Sequence, residues 1–260
     1  MCTDLSKLAR RVVGCAAMAA LILAVAAAGD VRADLVVLGA AADNTLIEDA
    51  EGDVSSGGST GMFVGRNNQP SNSRRRGVIQ FDIAGGIPAG STINSVMLGL
   101  SLSASNAADA TVSVHRLLAD WGDGTATSSG GQGAAAGAGD ATWLFAQYNT
   151  SPWTSAGGDY NGAISTQLVV GGSGDYFWPS TIAMVADVQG FLNDPAMNFG
   201  WIIIGNESAA QTSKRFSTRE DADEALRPRL IVDYTPVPEP TSAALLITTA
   251  LLSLGRRRRP

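Results

Sequence analysis

Cysteine is almost missing from this 260-residue chain: Cys2 and Cys15 are its only two, and both fall within the first fifteen residues. Once a leader containing them is removed, no thiol is left for a disulfide, a cysteine nucleophile, a CxxC redox pair or a cysteine-zinc site. An exported domain without cross-links must be held by its core, and residues 34–235 are numerous enough to build one. Histidine is scarcer still, with His115 alone. A Ser-His-Asp triad would have to use it, and no GxSxG elbow accompanies it. In TVSVHRLL it shares a strand face with Thr111 and Ser113, which predicts a solvated strand residue. No GK[ST] or GxGxxG phosphate cradle stands between a strand and a helix.

Positive charge is short as well. Of 18 basic and 24 acidic residues, eight bases and three acids lie outside 34–235, leaving ten against 21 and a net charge near −11. Such a domain is a poor partner for nucleic acid or an anionic membrane surface, whereas cations and neutral polymers remain open to it.

The first 33 residues read as a secretory signal. Lys7, Arg10 and Arg11 form a basic start, Ala16 to Ala28 an apolar core of thirteen residues, and Val31-Arg32-Ala33 places small side chains for cleavage before Asp34. The core is short for a permanent span. VVGC at Cys15 is not an acylation box, because its apolar run follows the cysteine instead of preceding it.

Between the two ends, short segments of period-two alternation bounded by Gly, Pro, Asn and Ser predict strands. In SVMLGLSLSAS (95–105), Val96, Leu98, Leu100 and Leu102 share one face; in 77–83, Ile79, Phe81 and Ile83 do. Thr111 to Leu117 and Leu230 to Tyr234 repeat the pattern briefly, and GGIPAGST (85–92) is a turn. These features predict an all-β fold, an antiparallel β-sandwich of jelly-roll type. One short helix is expected over Ser180 to Asn193, capped by Ser180 or Thr181, stopped by Asp194-Pro195, with Ile182, Val185, Gln189 and Leu192 on one face. FGWIII (199–204) predicts a strand covered on both sides, with Trp201 in the core.

Residues 120–174 form a long loop-rich insertion whose Gly-rich stretch GDGTATSSGGQGAAAGAGD (122–140) offers little to bury and is expected to be mobile. Trp121, Trp143, Trp153 and Trp178 lie in or beside it, with Phe145, Tyr148, Tyr160, Tyr176 and Phe177. Rings with a polar edge suit a sugar-binding surface; the plainer alternative is that they pin a core-poor loop onto the sandwich. Asp49, Glu51 and Asp53, or Asp120 and Asp123, could supply oxygens to Ca²⁺, although neither group has EF-hand spacing. Two carboxylates could also act as a glycosidase pair, but no spacing brings a particular two together. Arg74-Arg75-Arg76 is expected to pair with acids such as those of 219–224.

Four segments resemble DNRLRE-type domains, secreted β-sandwich modules related to some carbohydrate-binding modules: RRRGVIQFDIAGGIPAGSTINSVMLGLSL (74–102), VSVHRLLADWGDGT (112–125), MVADVQGFLNDPAMNFGWIIIGNES (184–208) and KRFSTREDADEALRPRLIVDY (214–234). With the opening DNTLIEDA (43–50) they span nearly all of 34–235. The resemblance implies a jelly-roll-like fold in an extracellular protein, often as an accessory module, and carries no shared catalytic motif.

The tail, 236–260, resembles a PEP-CTERM sorting signal: Val237-Pro238-Glu239-Pro240, an apolar run over 241–255, then Arg256, Arg257, Arg258 and Arg259. That resemblance implies recognition by an exosortase-type membrane enzyme in bacteria that make extracellular polysaccharide. A basic cluster held on the cytoplasmic side fits the positive-inside rule, and fifteen apolar residues, about 22 Å of helix, fit transient membrane insertion better than a permanent span of about 30 Å. A plain tail anchor is the alternative. Together the readings predict an exported, non-enzymatic protein of the cell surface or extracellular matrix, structural or adhesive, briefly retained at the inner membrane, with no cofactor unless calcium binds. A dedicated carbohydrate-binding protein and, further off, a polysaccharide-active enzyme are the alternatives.

Overall fold

A computed structural model of the protein describes residues 32–105 and 108–237, and residues 33–235 form one compact unit. The leader, the tail beyond Val237 and its arginine cluster lie outside the described residues. In chain order the elements are β1 (Asp34–Ile47), β2 (Val54–Ser55), β3 (Gly61–Arg66), β4 (Arg74–Phe81), α1 (Ile83–Gly86), β5 (Thr92–Ser105) and β6 (Ala110–Arg116). Then come β7 (Ala134–Ala135), β8 (Phe145–Gln147), β9 (Ser151–Pro152), β10 (Thr166–Val170), β11 (Gly174–Trp178), α2 (Ile182–Asn193), β12 (Trp201–Ile204), β13 (Lys214–Ser217) and β14 (Arg229–Thr235).

The strands pair antiparallel in two layers. In the first, β5 takes β11 on one edge and β14 and then β13 on the other, with β1 beyond β14 and β3 beyond β13. In the second the order is β1, β4, β12, β6, β10. β1 serves both layers: Asp34 to Gly39 pair with β14, a register shift follows between Ala40 and Ala42, and the rest pairs with β4. A bulge of this kind turns a strand, which lets one segment close an edge of the sandwich.

The alternation in β5 is realised. Val96, Leu98, Leu100 and Leu102 are buried between the layers against Leu230 and Val232 of β14 and Ile79 and Phe81 of β4, each worth about 1.5–3 kcal/mol of apolar transfer. Ile83 is buried too, but in the single turn α1, capped when the Asp82 carboxylate accepts from the Gly85 N–H. The strand therefore ends two residues earlier than its alternation suggests.

Helix α2 starts where its cap predicts, since the Thr181 hydroxyl accepts from the Met184 N–H, and it stops before Pro195. Its buried face matches the expected one only in part, since Leu192 is buried and Val185 packs against the core as expected. Met184, Val188, Phe191 and Leu192 point inward, while Ile182 is 93% exposed. Phe191 stacks edge-on against Trp201, with ring centroids 5.3 Å apart. Gln189 is half-buried: its side chain accepts from the Ile93 N–H and donates to the Ser91 carbonyl, tying the helix to the start of β5.

β12 is covered on both faces, as its unbroken apolar run implies. Trp201 and Ile203 face the space between the layers, and Ile202 faces outward with Leu46 and Val78. The insertion covers that outer face with Trp121, Trp143 and Trp153, so the protein has a second core outside the sandwich.

The Gly-rich stretch is correspondingly tied down rather than loose. β7 pairs with β2, and the Asn44 side-chain amide donates to the Asp123 carbonyl at 2.7 Å and to Ser55 at 3.0 Å. Its glycines allow backbone to lie on backbone. A Cβ on Gly122 would stand 1.7 Å from the Gly139 carbonyl oxygen, and one on Gly57 would stand 1.8 Å from that of Asp123. Gly122→Ala is expected to cost about 1–3 kcal/mol through overpacking, lowering Tm by roughly 5 °C. An unchanged melting temperature would show that the two segments do not lie this close.

Candidate binding site

The four tryptophans singled out by the sequence are all buried, which corrects their reading as a sugar platform. Trp178 belongs to the main core, where its indole donates to the Val112 carbonyl at 3.0 Å. Trp121 and Trp153 donate to the Phe199 and Thr142 carbonyls, each at 2.9 Å. Trp143 lies under the guanidinium groups of Arg74 and Arg76, both 5.0 Å from its ring centroid. Their faces are spent on protein contacts, because the second layer presents a wide apolar outer surface that something must cover.

The carboxylates considered for calcium are dispersed. Asp49 caps its own turn by accepting from the Gly52 N–H, Asp120 accepts from Gln147, Glu51 and Asp53 are exposed, and Asp123 is engaged by Arg219. Among the described residues no group of three or more His, Cys, Asp or Glu is placed to hold a metal ion. His115 is not solvated. It is 8% exposed, with its ring between the Asn161 carbonyl and the Ser113 hydroxyl and edge-on to Tyr160.

Asp123 belongs to a group that the sequence did not bring together. Arg219 links it to Asp43, whose carboxylate accepts from the Arg219 N–H at 2.9 Å, and to Glu220 at 2.9 Å. Asp43 is fully buried, and one of its oxygens has no hydrogen-bond partner. Burial pushes its carboxyl up to about 8; the Arg219 N–H opposes this, and the Glu220 and Asp123 charges reinforce it. Burial raises Asp123 and Glu220 as well, against the attraction of Arg219. A strongly shifted carboxyl is a mark of function when it faces a cleft. None of the clefts described below is lined by these three acids, so the group reads as a structural joint between β1, the insertion and the segment after β13.

The joint has a pH signature. A carboxyl whose folded pKa lies above its ordinary value stabilises the fold fully below about pH 4 and loses that contribution as pH rises through about 8. Glu48 acts oppositely. Despite partial burial, hydrogen bonds from Arg74 and Ser73 and the Arg74 charge hold it down at about 2, so its contribution is present above about pH 4.5 and lost on acidification. Asp43→Asn keeps an acceptor for the Arg219 N–H without a titrating group. Its melting temperature is expected to fall less between pH 5 and pH 9 than that of the wild type; parallel curves would rule Asp43 out as the source.

The three consecutive arginines separate by strand alternation, and none pairs with the 219–224 segment. Arg74 binds Glu48, with Nη2 2.6 Å from the carboxylate. Arg76 makes a two-point contact with Glu207 at 2.7 and 2.9 Å and donates to the Gly157 carbonyl at 2.8 Å. Arg75, on the opposite face of β4, is 2% exposed and meets only backbone: Nε donates to Gly131, and Nη1 to Asn72 and Arg74. Nη2 has no partner among the described residues, and no carboxylate pairs with the group. Burial pulls the Arg75 pKa below its ordinary value, while the Glu48 and Asp49 charges oppose the shift.

Arg75 lines a cavity of about 420 Å³, together with Phe63, Asn67, Asn68, Gln132 and Gln211. Three polar clefts of about 740, 410 and 390 Å³ lie elsewhere. Arg76, Asp159 and Tyr160 line the first, and Glu207 lines both of the others. In all three the charged side chains already have protein partners, since Arg76 and Arg74 are neutralised by Glu207 and Glu48, the half-buried Arg66 donates to the Ser73 hydroxyl, and Asp159 accepts from Thr154 and Ser155. The Arg75 cavity is different in holding a buried cation with a free donor nitrogen. Its signal in the sequence was the RRRGVIQF alternation, which puts Arg75 on the same side as Ile79 and Phe81.

Fold and site thus define an antiparallel β-sandwich with an insertion packed as a second core and a polar cavity beside β3 and β4. No protein-family model matches the chain, and no curated protein matches it.

Proposed function

We propose that the protein is an exported, non-enzymatic component of the cell surface or extracellular matrix, structural or adhesive, delivered through its C-terminal PEP-CTERM-like signal. The observation that carries the reading is the extent of the compact unit, Ala33 to Thr235, which coincides with the segment left between a secretory leader and a sorting tail. Every core residue named above lies within that unit. Among the described residues no helix is long and apolar enough to cross a membrane.

Mass spectrometry of the form released or displayed by the native host tests this. The mature chain is expected to begin at Asp34 and end near Pro240; a protein that still carries Arg256 to Pro260 would overturn processing at the tail. For the enzymatic alternative, the neighbouring Asp43 and Asp123 carboxylates are both engaged by Arg219, the first by its backbone N–H and the second by its guanidinium. Incubation with matrix polysaccharides is expected to release no new reducing ends, and their appearance would reverse the non-enzymatic reading.

A further inference from the structure

We infer that the Arg75 cavity is a saccharide site that selects a single acidic group, such as one uronic acid unit within an otherwise neutral glycan. The inference rests on the surface-protein reading only in placing the chain among extracellular glycans.

A buried guanidinium without a carboxylate partner is costly unless its charge is met. Backbone carbonyls from Gly131, Asn72 and Arg74 satisfy three of its five N–H groups, which fixes the planar head and leaves Nη2 to donate. A carboxylate oxygen at Nη2 would meet the charge with a charge-assisted bond and take the fourth N–H, leaving the fifth for a sugar hydroxyl. The remaining lining suits hydroxyls. Among the described residues, Asn68 and Gln211 each carry an unengaged donor and acceptor, and Gln132 an unengaged amide nitrogen, while the Asn67 side chain is tied to Gln69; paired donors and acceptors are the combination that a ring of alternating hydroxyl groups satisfies. Phe63 supplies one aromatic surface, with the Arg215 guanidinium 6.0 Å from its centroid. At about 420 Å³ the cavity falls at the small end of the roughly 300–1,000 Å³ usual for ligand sites, which suits one or two sugar units.

The charge of the rest of the domain sets the class of glycan. A body near −11 repels a densely charged polyanion over distances of about 8–10 Å at moderate salt. One buried cation can capture one acid group, but it cannot offset a charge on every residue of a polymer. The selected ligand is therefore sparsely charged.

Calorimetric titration of the purified mature protein with glucuronate, glucose and a polyuronate tests the site. Glucuronate is expected to bind at least about tenfold tighter than glucose, a difference of about 1.4 kcal/mol, and the polyuronate no tighter per sugar unit than glucuronate. Arg75→Gln is expected to abolish the preference. Because Arg75 is buried and that variant can fail to fold, the exposed pair Gln132→Ala/Gln211→Ala provides the second arm, expected to weaken glucuronate at least about tenfold with an unchanged melting temperature. Equal affinity for the two sugars, no saturation by about 10 mM, a polyuronate that binds tighter per unit, or binding untouched by the Gln pair would each overturn the inference. None of these outcomes alters the mass of the processed chain, so failure here is distinguishable from failure of the surface-protein reading.

Discussion

Replacing Trp143 by alanine is expected to destabilise the protein by about 3–5 kcal/mol, a fall of roughly 10 °C in Tm. The ring is buried at the centre of the second core, two guanidinium groups lie against it at 5.0 Å, and Gly157 packs on it so closely that a Cβ there would be 2.7 Å from the ring edge. Removing it opens a cavity and strips both arginines of a partner that contributes about 0.5–1 kcal/mol to each. Because the second core lies on the outer face of the second layer, the damage should be uneven. Limited proteolysis is expected to cut within 120–174 well before it cuts the strands of the sandwich. A melting temperature within a degree or two of the wild type, with the insertion still protected, would mean that Trp143 does not hold the insertion in place.

Arg76→Ala is expected to be as severe, about 3–5 kcal/mol, since it leaves the largely buried Glu207 carboxylate without its counter-charge. It also removes the donor to the Gly157 carbonyl and the cation over Trp143 and Tyr160. The informative comparison is Arg76→Met with Glu207→Leu. Apolar replacement of both partners avoids stranding a charge, and the double variant is expected to recover much of the loss. If the double variant melts no higher than Arg76→Ala, the stacking on Trp143 and the Gly157 bond outweigh the ion pair, and the electrostatic account fails.

How much of this was legible in the sequence varied with the kind of signal. β5 and β14 were readable because each has one face between the layers and one toward solvent, so period-two alternation survives. β12 was readable from the opposite pattern. β1 is not legible as a strand: its LVVL run shows no alternation, and the shift between Ala40 and Ala42 changes the phase partway along. Helix α2 was placed by its Thr181 cap and Asp194-Pro195 stop, but its sequence carries two apolar stripes, and only the position of Trp201 decides that Met184, Val188 and Phe191 are the buried one.

The site residues were harder for a related reason. Tryptophans in a polar insertion look the same in sequence whether they face solvent or an uncovered sheet, and Val78, Ile202 and Leu46 are scattered over 157 positions. The Gly122–Gly139 and Gly57–Asp123 approaches depend on backbone meeting backbone far along the chain, which composition reports only as looseness. Arg75 hid among three identical letters and is distinguished by parity alone.

The pairing of β14 with β1 on one side and β5 on the other has a mechanical consequence. If the chain is tethered through its C-terminal end while something pulls on the far side of the domain, the load enters at Thr235 and runs along β14. The bonds from Arg229 to Tyr234 toward β1, and from Arg229 to Thr235 toward β5, lie across that direction, so they would have to shear together instead of unzipping one after another. Asp34, beside Tyr234, would be a free end once the leader is gone and would transmit no force. Such an arrangement resists rupture most strongly along the axis on which a surface-held protein in moving water would be strained.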